Sequence, residues 1–209
     1  YTTLFRSNNM NFSANWRSIF SEKLTANFSF GYDHYDYRND ESVEEAAAAR
    51  LSFAINQWFG KVDFSYKLDN NHTLNFGLMS QFYNINSGTY EPLHESSLVK
   101  WDQLQKDKAL ESAIYIGDQW EITPKLSVNA GIRYSMFNLL GPRTYYTYQD
   151  GMLPSSTTVV DSVSVGGGKV VKTYQGPEFR LSARYAFNDD FSVKAGFNTM
   201  RHCYRYQER

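Results

Sequence analysis

The sequence predicts an all-β fold: an antiparallel transmembrane β-barrel segment of about eight strands in four hairpins, with short periplasmic turns and long extracellular loops. Three observations carry that expectation. Apolar and polar residues alternate with period two in separate runs along the chain, the pattern of a strand with one apolar and one wet face. Aromatics make up 17% of the 209 residues, with 16 Tyr and 15 Phe, yet mean hydropathy is −0.54. Large rings in a polar chain suit a wall with lipid on one side and water on the other. The connections also sort by length, with short turns at Ser21, Asp69, Thr123 and Asn188 at one end and long loops at the other. A soluble β-sandwich alternates too, but it keeps its aromatics in a core and has no reason to sort its connections.

Composition excludes several classes. A net charge of −1 offers no electrostatic case for nucleic acid or for a basic membrane-surface protein. The single Cys203 rules out an internal disulfide framework and a cysteine-based zinc site. No run approaches the roughly 20 apolar residues of a membrane helix, so any crossing must be made by strands. Tyr1 to Met10 lacks the apolar core of a signal peptide, and the natural N-terminus is expected upstream. Residues 1–7 match the in-frame translation of a widely used sequencing adapter and are expected to be foreign to the barrel. The partial barrel is predicted over 8–200, and 201–209 is read as a frameshifted or truncated tail.

In chain order, Met10, Phe12, Ala14 and Trp16 form one face of the first strand, opposite Asn11, Ser13, Asn15 and Arg17. Leu24, Ala26, Phe28, Phe30 and Tyr32 resume the apolar face after Ser21-Glu22-Lys23, completing a hairpin. Tyr35 and Tyr37, among charges, suit the lipid headgroup level. Residues 38–50 read as a loop with a helical turn near Ser42 to Ala46. A third strand is expected from near Ile55, with Trp58, Gly60, Val62, Phe64 and Tyr66 on one face. Leu74, Phe76 and Leu78 follow the turn at Asp69-Asn70-Asn71, with Asn75, Gly77 and Gln81 on the wet side. No periodicity holds from Asn84 to about Lys108, which reads as a long loop of the kind that is usually functional or disordered.

Ala109 to Tyr134 then forms the third hairpin. Ile114, Ile116, Trp120 and Ile122 share a face with Asp118, which places Asp118 near the lipid interface or switches the face at a bulge. A second irregular stretch runs from Phe137 to about Gln175. Within it Val159 to Val165 and Lys169 to Tyr174 read as a hairpin around Gly166-Gly167-Gly168, standing clear of the membrane. Phe179, Leu181, Ala183, Tyr185 and Phe187, then Phe191, Val193, Ala195 and Phe197, make the last pair, with Arg180, Arg184 and Lys194 opposite.

The strands after the turns repeat a theme. Lys23-Leu24-Thr25-Ala26-Asn27, Lys125-Leu126-Ser127-Val128-Asn129 and Asp190-Phe191-Ser192-Val193-Lys194 each set an interfacial anchor before alternation. The segment from Asp118 to Tyr134, DQWEITPKLSVNAGIRY, resembles a hairpin that recurs in the barrels of TonB-dependent receptors. Gly176 to Tyr185 and Phe191 to Met200 look like later strands of the same family. The resemblance implies a solute importer of the bacterial outer membrane, with outer-membrane lipid around a barrel of roughly 22 strands. It also implies a plug domain, the TonB energy-coupling protein as partner, and a polar solute of unknown identity. This chain would then be an interior piece of the wall. A self-contained eight-stranded barrel with a structural or adhesion role is the alternative, because an even strand count permits closure.

Enzyme chemistry finds no support. There is no Gly-x-Ser-x-Gly, His-Glu-x-x-His or phosphate-loop pattern, and Gly168-Lys169 is followed by Val170 where a hydroxyl is needed. His34, His72, His94 and His202 are scattered, no zinc spacing occurs, and no cofactor or metal is expected. Asp36, Asp40, Glu41, Glu44 and Glu45 fit a solvated acidic loop better than a calcium loop. The candidate solute contacts are Tyr90, Trp101, Tyr145, Tyr146 and Tyr148 as stacking platforms in the long loops, with a headgroup girdle as their competing role. Arg133, Arg180 and Arg184 are expected to face the lumen, for solute, plug or simple charge balance.

Overall fold

The computed structural model describes residues 2–42, 44–153, 155 and 157–200; the expected frameshifted or truncated tail at 201–209, Cys203 included, lies outside them. Eight strands form one continuous antiparallel sheet. They are β1 (Thr2–Ile19), β2 (Leu24–Ser42), β3 (Ala49–Lys67), β4 (His72–Pro92), β6 (Asp107–Thr123), β7 (Leu126–Leu140), β10 (Val170–Ala186) and β11 (Ser192–Asn198), paired in that order. The two-residue β5 (Asp102–Gln103) adds to β4, and β8 (Arg143–Tyr148) pairs with β9 (Val159–Val165) in a separate two-stranded sheet. β1 and β11 are each paired on one side only, so the sheet is not closed. Residues 2–7 continue β1 and pair with residues 37–42 of β2.

All four short turns use one device. Ser21 Oγ, Asp69 Oδ1, Thr123 Oγ1 and Asn188 Oδ1 each accept the backbone N–H groups two and three residues on, at 2.7 to 3.3 Å. The side chain thus replaces a backbone acceptor at the tightest point of the chain. These two bonds to Asp69 also hold its carboxyl below the usual carboxylate range.

At the other end the strands run further than the alternation indicated. β1 to β4 are 18 to 21 residues long, well beyond the roughly 9–11 needed to cross a bilayer at a tilt. The expected loop at residues 38–50 is therefore mostly strand, with a 3₁₀ turn at Glu45–Ala47. β3 starts at Ala49 rather than near Ile55, and β4 runs on to Pro92. Apolar alternation ends where the lipid ends, whereas backbone pairing continues wherever a neighbouring strand is available. Cross-strand charges hold the extension together. Arg50 donates from Nε and Nη2 to the two oxygens of Asp40 at 2.6 and 3.0 Å, with Glu91 at 3.7 Å on the other side. That forked bond holds the Asp40 carboxyl below its usual range and raises Arg50. Ser97 and Leu98 strap the next loop onto the carbonyls of Ala48 and Ala46.

The pairing within 141–175 also differs from expectation. β9 pairs with β8, not with Lys169 to Tyr174, which instead opens β10 against β7. Gly166 to Gly168 is the bend between those partners, with φ of +75° at Gly168.

Register fixes the faces. Across the sheet one side carries Phe12, Trp16, Phe30, Trp58, Leu78, Ile114, Ile116, Ile132, Phe179, Leu181 and Phe197, all between 43% and 68% exposed. A continuous exposed apolar belt is the lipid face of a barrel wall. Tyr32 and Trp58 meet in a tilted contact at its outer rim, 4.3 Å apart, and Trp16 and Phe28 stack 5.3 Å apart toward the turn end. Tyr35 and Tyr37 do not join this girdle. Period two turns them to the opposite face, where Tyr37 stacks on Phe5 and Phe53.

On the polar face, Tyr115 reaches across Gly77 to donate its hydroxyl to Asp63 two strands away. A Cβ on Gly77 would collide with the Val62 carbonyl oxygen and lie 2.5 Å from Tyr115 Oη, whereas a Cβ on the lipid-facing Gly60 would meet nothing within 4 Å. In the full-length protein, Gly77→Ala is expected to destabilise the fold by about 1–3 kcal/mol, as overpacking does. Gly60→Ala is expected to be tolerated. Urea unfolding followed by tryptophan fluorescence checks the pair. The Asp40–Arg50 clamp adds a pH dependence. Its contribution is complete above the unfolded carboxylate's value of about 4 and is lost as pH falls through the lower folded value. Amide exchange at residues 39–41 and 49–51, corrected for intrinsic rates, should show protection falling only below about pH 4. Asp40→Asn should abolish that step.

Candidate functional site

The polar face gathers charge into one band that crosses six strands. Asn27, Asp63, Gly77, Tyr115, Arg133 and Glu178 occupy a single cross-strand row from β2 to β10. Lys61 Nζ lies 2.9 Å from Asp63 Oδ2 on the near side of this row. Arg133 sits between two carboxylates, 3.7 Å from Glu111 on β6 and 3.7 Å from Glu178 on β10. Its Nε donates to Ser135 Oγ at 3.0 Å, and that hydroxyl donates to Glu178 at 3.2 Å. Tyr83 on β4 donates to Glu111 at 3.3 Å. Arg133 is 17% exposed and Glu178 11%, so the guanidinium is held rather than offered. Its first role here is to tie β6, β7 and β10 together.

Arg180 and Arg184 differ. Both lie on the same polar face of β10, opposite Asn198 and Lys194 of β11, and neither makes an ion pair among the described residues. Arg180 faces Gly131, which is itself paired with Gly117. The missing side chains leave a concavity of about 240 Å³ lined by Arg180 with Lys61, Asp63, Asn75, Asn129 and Arg133. The structure therefore brings Arg133 and Arg180 to one depression, with Arg184 further along the strand. Glu111, Glu178 and Tyr83 were not singled out from the sequence. The signal available for them was their position on the wet alternation, which marks a face but not the partner on the neighbouring strand.

The aromatic candidates divide into two groups at the outer end. Tyr90 belongs to β4, not to a loop, and pairs with Asp102 of β5; Trp101 precedes β5 and is 61% exposed. Tyr145, Tyr146 and Tyr148 lie on β8. Tyr146 and Tyr148 share a face with centroids 6.5 Å apart, and Tyr145 on the other face packs against Arg143 at 5.3 Å. Among the described residues no ring contact joins the two groups. The β8–β9 hairpin is strapped to the loop before β6: Arg143 donates to Asp107 at 2.6 Å, and Gln105 and Thr144 exchange two hydrogen bonds of 3.1 Å. The acidic candidates are dispersed. Asp36 bonds His34, Asp40 bonds Arg50 and Glu45 accepts from Ser96, and among the described residues no three metal-binding side chains converge.

A family model of the TonB-dependent receptor-like β-barrel matches residues 2–200. No curated protein matches the sequence. Among solved structures, the chain is similar to the ferric-catecholate import receptor Fiu of E. coli K12 in its open form. The TM-score is 0.62 at 11% identity, over 93% of this chain and 35% of that one. It is similar also to the copper transporter OprC, with a TM-score of 0.62 at 12% identity over 93% of this chain and 30% of that one. The chain thus spans about a third of the length of either neighbour, and at such identity the likeness is one of fold. With the alternating open sheet, the sorted connections and a family match over nearly every residue, the chain belongs to the TonB-dependent receptor-like β-barrel family.

Proposed function

We propose that this chain is part of the wall and outer loops of an outer-membrane receptor that imports a polar solute with energy relayed from the inner membrane by TonB. The observation that carries the reading is the two-faced wall: an exposed apolar belt backed by a polar face with an arginine-lined depression. A plug domain is the expected occupant of the lumen. Arg180 and Arg184 are wall groups with charge to offer it or the solute. Tyr145, Tyr146, Tyr148, Tyr90 and Trp101 supply stacking surfaces at the mouth, and the ties of Arg143 and Gln105 set where the hairpin stands. The cargoes of the two structural neighbours, a ferric catecholate and copper, are natural first probes.

The complete reading frame is expected to encode a plug upstream of residue 8; a frame without one overturns this assignment. In cells carrying the full-length gene, uptake of the solute that supports growth should stop when TonB is deleted. Tyr146→Ala should raise the half-saturating concentration about three- to tenfold, the scale of one lost aromatic contact. Unchanged uptake in both experiments would remove the transport reading.

A further inference from the structure

The outer wall carries one polar cluster that the transport reading does not use. Asp118 lies on the lipid face: its register partners are Leu74 and Ala130, and the row above it is Phe76, Ile116 and Ile132. Lys108 is the next charge on that face of β6, ten residues away, with no register shift between them. Ten residues is one tilted bilayer crossing. Lys108 and Asp118 therefore mark the outer and the periplasmic rim of the apolar belt on this strand. Below Asp118, Trp120 is 42% exposed and stacks on His72 at 5.2 Å, as rings do at headgroup depth.

The carboxylate is under-satisfied. His72 Nδ1 lies 2.6 Å from Asp118 Oδ2, whereas Oδ1 is covered and has no hydrogen-bond partner. A carboxylate has about four acceptor positions, of which one is used here. The two side chains are 30% and 31% exposed, so the pair is partly open on the lipid face. Phosphates and ester oxygens accept hydrogen bonds and cannot satisfy an acid. A primary ammonium can, and a phosphate beside it can accept from an imidazole N–H.

We propose that His72 and Asp118, backed by Trp120, bind the headgroup of an ethanolamine phospholipid in the periplasmic leaflet. The ammonium donates to the Asp118 carboxylate and the phosphate accepts from His72. A choline headgroup has the same charge and no N–H to give, so hydrogen bonding rather than charge sets the preference. The inference rests on the membrane placement of the wall and not on any solute.

The test is native mass spectrometry of the full-length receptor in micelles doped with equal amounts of dioleoyl-phosphatidylethanolamine and dioleoyl-phosphatidylcholine. The wild type should retain the ethanolamine lipid over the choline lipid by about threefold or more, the worth of one net hydrogen bond. Asp118→Asn should bring the ratio toward one, His72→Gln should lower retention of both lipids while leaving their ratio above one, and Lys108→Gln at the opposite rim should change neither. A ratio of one in the wild type, or a preference that survives Asp118→Asn, overturns the proposal. Should the variants fold poorly, N-monomethyl and N,N-dimethyl ethanolamine lipids replace them on the wild type. Retention must then fall with each N–H removed, and a flat series overturns the proposal. In a second micelle with dioleoyl-phosphatidylglycerol in place of the choline lipid, preference for the glycerol lipid would assign the contact to the lysines of the turns instead and also overturns it. Uptake measured in parallel keeps the two ideas apart, since a receptor that imports without lipid preference loses only this inference.

Discussion

Everything in this structure follows from the requirement that no backbone N–H or C=O be left unpaired in hydrocarbon, where no water can take the place of a partner. The chain meets it with one uninterrupted antiparallel ladder from β1 to β11. Each hydrogen-bonded row locks the next, so a residue's face is set by the ladder and not by its own preference. Tyr37 shows the force of this. It stands among charged residues in a stretch that suits an interface, yet the register turns it away from lipid.

The ladder also explains why charge is handled differently at three heights. Outside the membrane, Asp40, Arg50 and Glu91 pair directly across strands and stiffen the long extension. Within the wall the polar face places Arg133 against two carboxylates from neighbouring strands, a triad that links strands far apart in sequence. At the periplasmic rim Asp118 meets His72 on the lipid side. A charge on that face is tolerated best near an interface and worst at the midplane, and Asp118 lies at the end of the belt where the burden is small.

Glycine has a particular part in the polar face. Gly77 admits the Tyr115 hydroxyl to Asp63, and Gly117 and Gly131, opposed across β6 and β7, open the depression under Arg180. Gly60, on the lipid side, has open space above it and plays no such part. The wall is therefore sculpted by where side chains are omitted as much as by where they stand.

The sequence by itself determined the fold class, the strand number, the hairpin turns and the division of faces. Those depend on period-two alternation and on the side-chain acceptors at Ser21, Asp69, Thr123 and Asn188, all local features. It marked Arg133, Arg180 and Arg184 as wet-face residues but could not distinguish the first, which is held by Glu111 and Glu178, from the other two. Only the tertiary structure decided that, because the deciding neighbours lie on other strands. The same is true of strand length past the membrane, of the β8–β9 pairing and of Asp118. Past the lipid no apolar pattern is required, so pairing there leaves no periodic trace. Asp118 was ambiguous between an interface position and a bulge until register settled it: the shift lies between Glu121 and Thr123, and the face does not change at Asp118.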